Sequence, residues 1–421
     1  MEVLNGKRLL LLGGSKPYVK VAKAAKALGI HVIVVDQKAT NEVLQYADEY
    51  LQLSLLDFEG ISAWCKDNPI DGVINLCVDF AQRTYLSLCN TFNLPCFYNQ
   101  QQVDTLANKN QFKELLVECG LSIIKTYDEN DIIEDRVSYP IIVKPSEGSG
   151  SRGMATCTNK KDALIGIKNA KNESRNGEVI IEEYIEGAQE IQITYFLHNG
   201  EVHVLRTTDS YKGTEHEGLE RVVVCAVSPS RYTELYMKKT HADVLKMVKK
   251  IGLHDGPFFM QGFFHEGKFK FFDPGCRFPG VDYDSIYELE YGFDIAKTMV
   301  LYALSRSVPQ ITVPSEMYSL HGKRAAVLFP VMKAGTISTI SGLDVIDKDD
   351  HVFSMSERHT IGDIIRLTHD VNQRFGEIDI IANSIMELIR CILFVQKSLS
   401  VKGIDGAEML YNHFDVNRIV V

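Results

Sequence analysis

The stretch "VKPSEGSGSRGMATC", Val143 to Cys157, decides how this chain is read. It packs three glycines, three serines and an arginine behind a lysine, Lys144. Glycines and serines in such density offer backbone N–H groups and hydroxyls to an anion. In a P-loop the lysine follows the glycines and opens a helix, whose N-terminus helps bind phosphate. Here the lysine comes first, and β-like sequence lies on both sides, "YPIIVKP" before and "MATCTN" after. The order predicts a hairpin with a flap at its tip and Lys144 at its base. Such a flap is expected to close over a bound nucleotide and to open without one.

Upstream, "KRLLLLGGSKPYVKVAKAAKALGIHVIVVDQ" reads as strand, glycine turn, helix, strand. The continuous apolar runs are those of a parallel sheet buried on both faces. Gly13-Gly14-Ser15 lacks the Gly-x-Gly-x-x-Gly pattern and reads as a tight strand-to-helix turn. "ISAWCKDN", "DGVINLC" and "FAQRTYLSLCNTFNL" continue as helix, strand and helix, giving an open α/β unit over residues 1–105. Residues 106–305 form the next unit, with a flap subdomain over about 106–186. In it "NKNQFKELLVECG" is a helix stopped by Gly120, and "KKDALIGIKNAKN" is another. "QEIQITYFLHNGEVHVLRTTD" is a hairpin turning at Asn199-Gly200, and "FFMQGFFHEGKFKFFDPG" is a second strand pair. "TTDSYKGTEHEGLERVVVCAVSPS" reads as a polar loop between strands. Residues 306–421 add short strands and the helix "NSIMELIRCILFVQKSL", an α+β unit.

The totals limit the function. At 421 residues the chain exceeds one compact core, so two or three domains are expected. A net charge of −10 argues against bulk binding to nucleic acid or to an anionic membrane. The apolar run Leu9–Leu12 is too short for a membrane span. Nine scattered cysteines, with no Cys-x-x-Cys pair, fit a reduced, cytoplasmic setting rather than a disulfide framework or a zinc ribbon.

Further candidates flank the flap. Lys109 opens a helix upstream of it. "VIIEEYIEGAQE" places Glu182 and Glu183 at a strand end, then Tyr184 and Ile185, then Glu190. A strand-to-loop crossing there exposes backbone groups to an adenine edge, and a nearby carboxylate can accept ribose hydroxyls. Gln261 and Asp273 fall on adjacent strands, and both carry oxygen ligands of the kind Mg²⁺ prefers. Arg277 follows at the strand exit, suited to a phosphoryl group.

This ordered set resembles the ATP-grasp superfamily of carboxylate–amine ligases, over roughly residues 106 to 305. The resemblance implies an ATP-grasp fold with an N-terminal Rossmann-like domain and a C-terminal α+β domain like that of L-amino-acid ligases, biotin carboxylases and carbamoyl-phosphate synthases. It implies ATP binding by Lys109, Lys144, Glu147, Ser149, Gly150, Ser151, Arg152, Gly153, Glu182, Glu183, Tyr184, Ile185 and Glu190. It implies Mg²⁺, with Mn²⁺ as a substitute, at Gln261 and Asp273, and catalytic roles for Arg277 and Lys144. Lys212, His216 and Arg221 would lie by the second substrate. The partners implied are a small carboxylate and an amine, and a homodimer is compatible with the family. The implied reaction forms an acyl phosphate and then an amide, releasing ADP and phosphate.

Two positions depart from the family pattern. Gln261 stands where glutamate is usual, and Gly275 where asparagine is usual. Both departures thin the metal site. They keep two other readings open: a purine-pathway enzyme like phosphoribosylamine–glycine ligase, or a nucleotide-binding regulatory protein with degraded catalysis.

Overall fold

The computed structural model describes residues 4–146, 153–174, 177–214, 217–280, 285–305, 310–411 and 414–419. Four of its sheets organise the molecule.

The N-terminal sheet is parallel, in the order Glu49–Leu51, His31–Val35, Arg8–Leu12, Gly72–Ile74. Leu9 to Leu12 and Val32 to Val35 are wholly buried, which explains their unbroken apolar sequence. The helix Pro17–Ala27 opens on proline, whose missing N–H is not needed in the first turn. It buries Tyr18, Val21, Ala22 and Ala25 in a core shared with the helix Ile295–Leu304. That shared core fixes the N-terminal unit against the centre of the molecule.

A nine-stranded sheet runs through the centre. Its order is Val352–Glu357, Gly376–Ala382, Arg324–Leu328, Val223–Ser228, Glu201–Lys212, Gln189–His198, Gly256–His265, Lys268–Gly275, Ser122–Ile123. Strands from beyond residue 305 therefore extend the same sheet that carries Gln261 and Asp273. The hairpin turns at Asn199 (φ +52°) and Gly200 (φ +79°), both left-handed as a two-residue type I′ turn requires.

A smaller antiparallel sheet, Thr126–Tyr127, Val179–Glu183, Ile141–Pro145, Ala155–Cys157, backs onto the helix Lys160–Glu173. Ile141–Pro145 and Ala155–Cys157 form an antiparallel hairpin, as the sequence predicts. The last sheet, Ile364–Ile365, Gly335–Ser341, Ser400–Gly403, lies in the C-terminal region, where the helix Ile385–Ser398 contributes to the core.

One expectation is corrected. The two ends of the stretch from Thr207 are strand and not loop: Glu201–Lys212 and Val223–Ser228 are paired. Their polar residues mislead because Thr207, Thr208 and Asp209 are buried with polar partners rather than solvated. All nine cysteines are free. Among the described residues, no helix is long and apolar enough to cross a membrane.

Candidate active site

The site lies where the flap sheet meets the central sheet. Lys109 begins the helix Lys109–Glu118, which is capped by the Asn108 side chain accepting from the backbone N–H groups of Asn110 and Gln111. One turn on, Lys113 is almost buried and places Nζ 2.5 Å from Glu182 Oε1. Lys144 places its own Nζ 2.5 Å from the other oxygen, Glu182 Oε2. Burial opposes the charge on Glu182, but Lys144 and Lys113 outweigh it and hold the carboxyl below its ordinary pKa. Lys113 itself is lowered by burial, against the pull of Glu182. A carboxylate bracketed by two ammonium groups stays ionised, so the burden of burial falls on Lys113. Lys113 carries no motif signal beyond standing four residues after Lys109 on one helix face.

Lys109 is lowered by burial and by repulsion from Lys144, with Asp273 and Glu182 acting the other way. Asp273 is raised by burial and by Asp79, against Lys109, Arg277 and Lys144. Asp273 is thus within electrostatic reach of Lys109, Lys144 and Arg277, and Glu182 within reach of the two lysines.

Gln261 and Asp273 are directly opposed across two strands, and Gln261 also faces Gln192. Gln261 Nε2 donates to Gln192 Oε1 at 3.1 Å, which leaves the carbonyl oxygen of Gln261 for another ligand. One carboxylate and one neutral carbonyl oxygen suit a single Mg²⁺ that takes its remaining ligands from water and phosphate. The donor set fits one ion riding on a nucleotide.

Arg277 Nε lies 3.2 Å from Asp79 Oδ1, Nη1 donates to Phe278 O at 2.9 Å, and the guanidinium sits 4.9 Å over the Phe259 ring. Phe259 is the cross-strand neighbour of Gly275. The ring fills the space beside that glycine.

The other predicted residues take these places. Glu183 is 3.7 Å from Lys270. Its backbone N–H donates to Lys125 O, and that of Tyr184 donates to Pro140 O at 3.1 Å. Tyr184 is exposed and Ile185 half-buried just beyond the strand. Glu190 Oε2 pairs with Lys212 Nζ at 2.6 Å, so a residue expected at the nucleotide and one expected at the second substrate meet. Arg221 Nη1 donates to Met154 O at 3.2 Å, reaching the base of the flap. Gly153 adopts a left-handed conformation (φ +70°) there, one that glycine reaches without strain. Glu147, Ser149, Gly150, Ser151, Arg152 and His216 lie outside the described residues.

Residues 102–278 match the family model of the carbamoyl-phosphate synthase L chain, ATP binding domain. The chain spans about half the length of the curated relatives it matches. It is 23% identical over 222 residues to the 2-oxoglutarate carboxylase small subunit of Hydrogenobacter thermophilus, covering 44% of this chain and 44% of that protein. Two solved structures share the architecture over nearly the whole chain. Phosphoribosylglycinamide synthetase from Anaerococcus prevotii superposes with a TM-score of 0.75 at 20% identity, over 95% of this chain and 100% of that one. L-amino acid ligase from Bacillus licheniformis superposes with a TM-score of 0.74 at 19% identity, over 95% and 99%. The chain carries the ATP-grasp fold of these structures, and the lysines, the opposed Gln261 and Asp273, and Arg277 all lie on the segment that matches the ATP-binding domain model.

Proposed function

We propose that this protein is an ATP-dependent carboxylate–amine ligase. The observation that carries the reading is the convergence of Lys109, Lys144 and Arg277 on Asp273, opposite Gln261. Three cations around one partly buried carboxylate form a site for a polyanion with its metal. The likeness to an L-amino acid ligase and to a phosphoribosylglycinamide synthetase supports a carboxylate and an amine as substrates.

In this reading Lys109 and Lys144 hold the phosphates of ATP, and Glu190 holds the ribose. Asp273 and Gln261 would hold Mg²⁺, which neutralises charge on the phosphate oxygens. The substrate carboxylate attacks the γ-phosphorus and ADP departs. The amine then attacks the carbonyl carbon of the acyl phosphate, and inorganic phosphate departs. Arg277 stabilises the phosphoryl oxygens in transit. Its position over Phe259 and against Asp79 fixes the guanidinium before substrate arrives, so little reorganisation is needed in the transition state. Lys144 is also paired with Glu182, so phosphate and Glu182 would share its ammonium group.

A second reading rests on one observation. Gln261 is neutral and is tied to Gln192, which favours a nucleotide-binding regulator with weak catalysis. Incubation with MgATP and pooled amino acids, followed by ADP and product-mass measurement, separates the two. Amino-acid-dependent ADP with a new amide supports the ligase. Tight ATP binding without such ADP supports the regulator. Turnover with glycine and phosphoribosylamine alone points to the purine reaction.

A further inference from the structure

We propose that Arg206, with Thr194, forms an anion subsite beside Arg277 and the metal pair, and that the carboxylate substrate carries a second anionic group. The inference rests on the ligase reading for what the ligand is, and on geometry for the subsite itself.

Arg206 is only 5% exposed, yet its guanidinium makes no hydrogen bond or ion pair among the described residues. Its Nε is sealed from solvent without a partner. A buried charge without a counterion is strongly disfavoured, so a protein keeps one where a ligand supplies the missing partner. Thr194, its cross-strand neighbour, is wholly buried, and its Oγ1 is also without a partner. Two adjacent unsatisfied donors of this kind describe the complement of an oxyanion.

Their place in the sheet points to the substrate. Thr194 stands two residues beyond Gln192, so it shares a face with the Gln192–Gln261 pair. Phe259, Thr194 and Arg206 are successive cross-strand neighbours. Arg277 lies over the first of these, which puts Arg206 two strand spacings away, about 10 Å. Moving along the strand from Glu190 through Gln192 to Thr194 leads away from the ribose position and past the metal pair. The acid nearest Arg206 in the chain, three residues on, does not pair with it. Asp209 projects from the opposite face, where it accepts from Ser230 Oγ at 2.5 Å and from the Arg231 backbone at 3.0 Å.

The shared chemistry is a carboxylate or a phosphate, and matched probes tell them apart. With full-length protein and MgADP, calorimetry would compare glutarate with acetate and O-phospho-L-serine with L-serine. The expected result is at least tenfold tighter binding of one dianion than of its matched probe, with the preference lost in Arg206→Met. Which pair shows it names the group. Arg206→Met should keep its MgADP affinity and melt no lower than wild type, because an unpaired buried charge has been removed. A melting temperature clearly below wild type would show a structural arginine and overturn the proposal. So would equal binding within both pairs, or a preference that survives in Arg206→Met and Thr194→Val. The ligase reading is tested separately by ADP formation. An Arg206-dependent preference without turnover keeps the subsite and sinks the ligase. Turnover on monoanionic acids, unchanged in Arg206→Met, does the reverse.

Discussion

The ring of Phe259 occupies the volume that any side chain at Gly275 would need: a Cβ there would lie 2.2 Å from the ring edge. The same ring carries the Arg277 guanidinium. The family's asparagine and this aromatic ring therefore exclude each other, and the glycine is the steric consequence of the ring. Gly275→Ala should destabilise by about 1–3 kcal/mol, the usual result of overpacking. In a Phe259→Ala background, itself costing about 3–5 kcal/mol, the same change should be nearly neutral. Urea unfolding of the four proteins measures the coupling, and strict additivity would refute it.

Glu182 holds two lysines, the buried Lys113 and the half-buried Lys144. Glu182→Gln leaves them without their counterion and should destabilise by about 3–5 kcal/mol at neutral pH. The folded pKa of Glu182 lies below its unfolded value. Its stabilisation is therefore complete above the unfolded value, about 4.3, and is lost as pH falls through the folded value. Wild type and Glu182→Gln should differ by a constant amount from pH 5 to 7 and converge only in stronger acid. Convergence already between pH 5 and 7 would show that the pair does not hold the carboxylate ionised.

Lys144 and Arg277 should separate by binding and chemistry. Lys144→Ala is expected to abolish turnover and to weaken ATP tenfold or more, about 1.4 kcal/mol. Arg277→Ala should abolish turnover with ATP affinity nearly unchanged, because its proposed contact is with the group in transfer. Calorimetric ATP titration beside single-turnover kinetics makes the comparison. Normal turnover in Arg277→Ala removes it from the mechanism.

Gln261→Glu tests the metal pair. A second carboxylate opposite Asp273 should lower the Mg²⁺ concentration for half-maximal nucleotide binding by about tenfold. Gln192 would have to turn its amide nitrogen toward the new carboxylate to keep the bond now made at 3.1 Å. An unchanged Mg²⁺ dependence would place position 261 away from the ion.

Lys113 and Arg206 show why part of the site is hidden in the sequence. Each is a single basic residue in an ordinary element, and only burial without solvent gives it meaning. The end of the strand Glu201–Lys212, from Thr207 on, was hidden differently. A polar run reads as loop when polarity is taken for exposure, but here it lies buried in the sheet.

The sequence by itself determined the order of parts: the buried parallel strands, the lysine before a hairpin, Gln261 and Asp273 on adjacent strands, and the arginine at the strand exit. These follow from local periodicity, turn residues and strand alternation, which act over a few neighbours. Only the tertiary structure decided that Lys113 and Lys144 share Glu182, that Lys212 holds Glu190, and that Phe259 stands over Gly275 beneath Arg277. Those contacts depend on cross-strand register and on how two sheets approach. Residues far apart in the chain set both, so no local pattern records them.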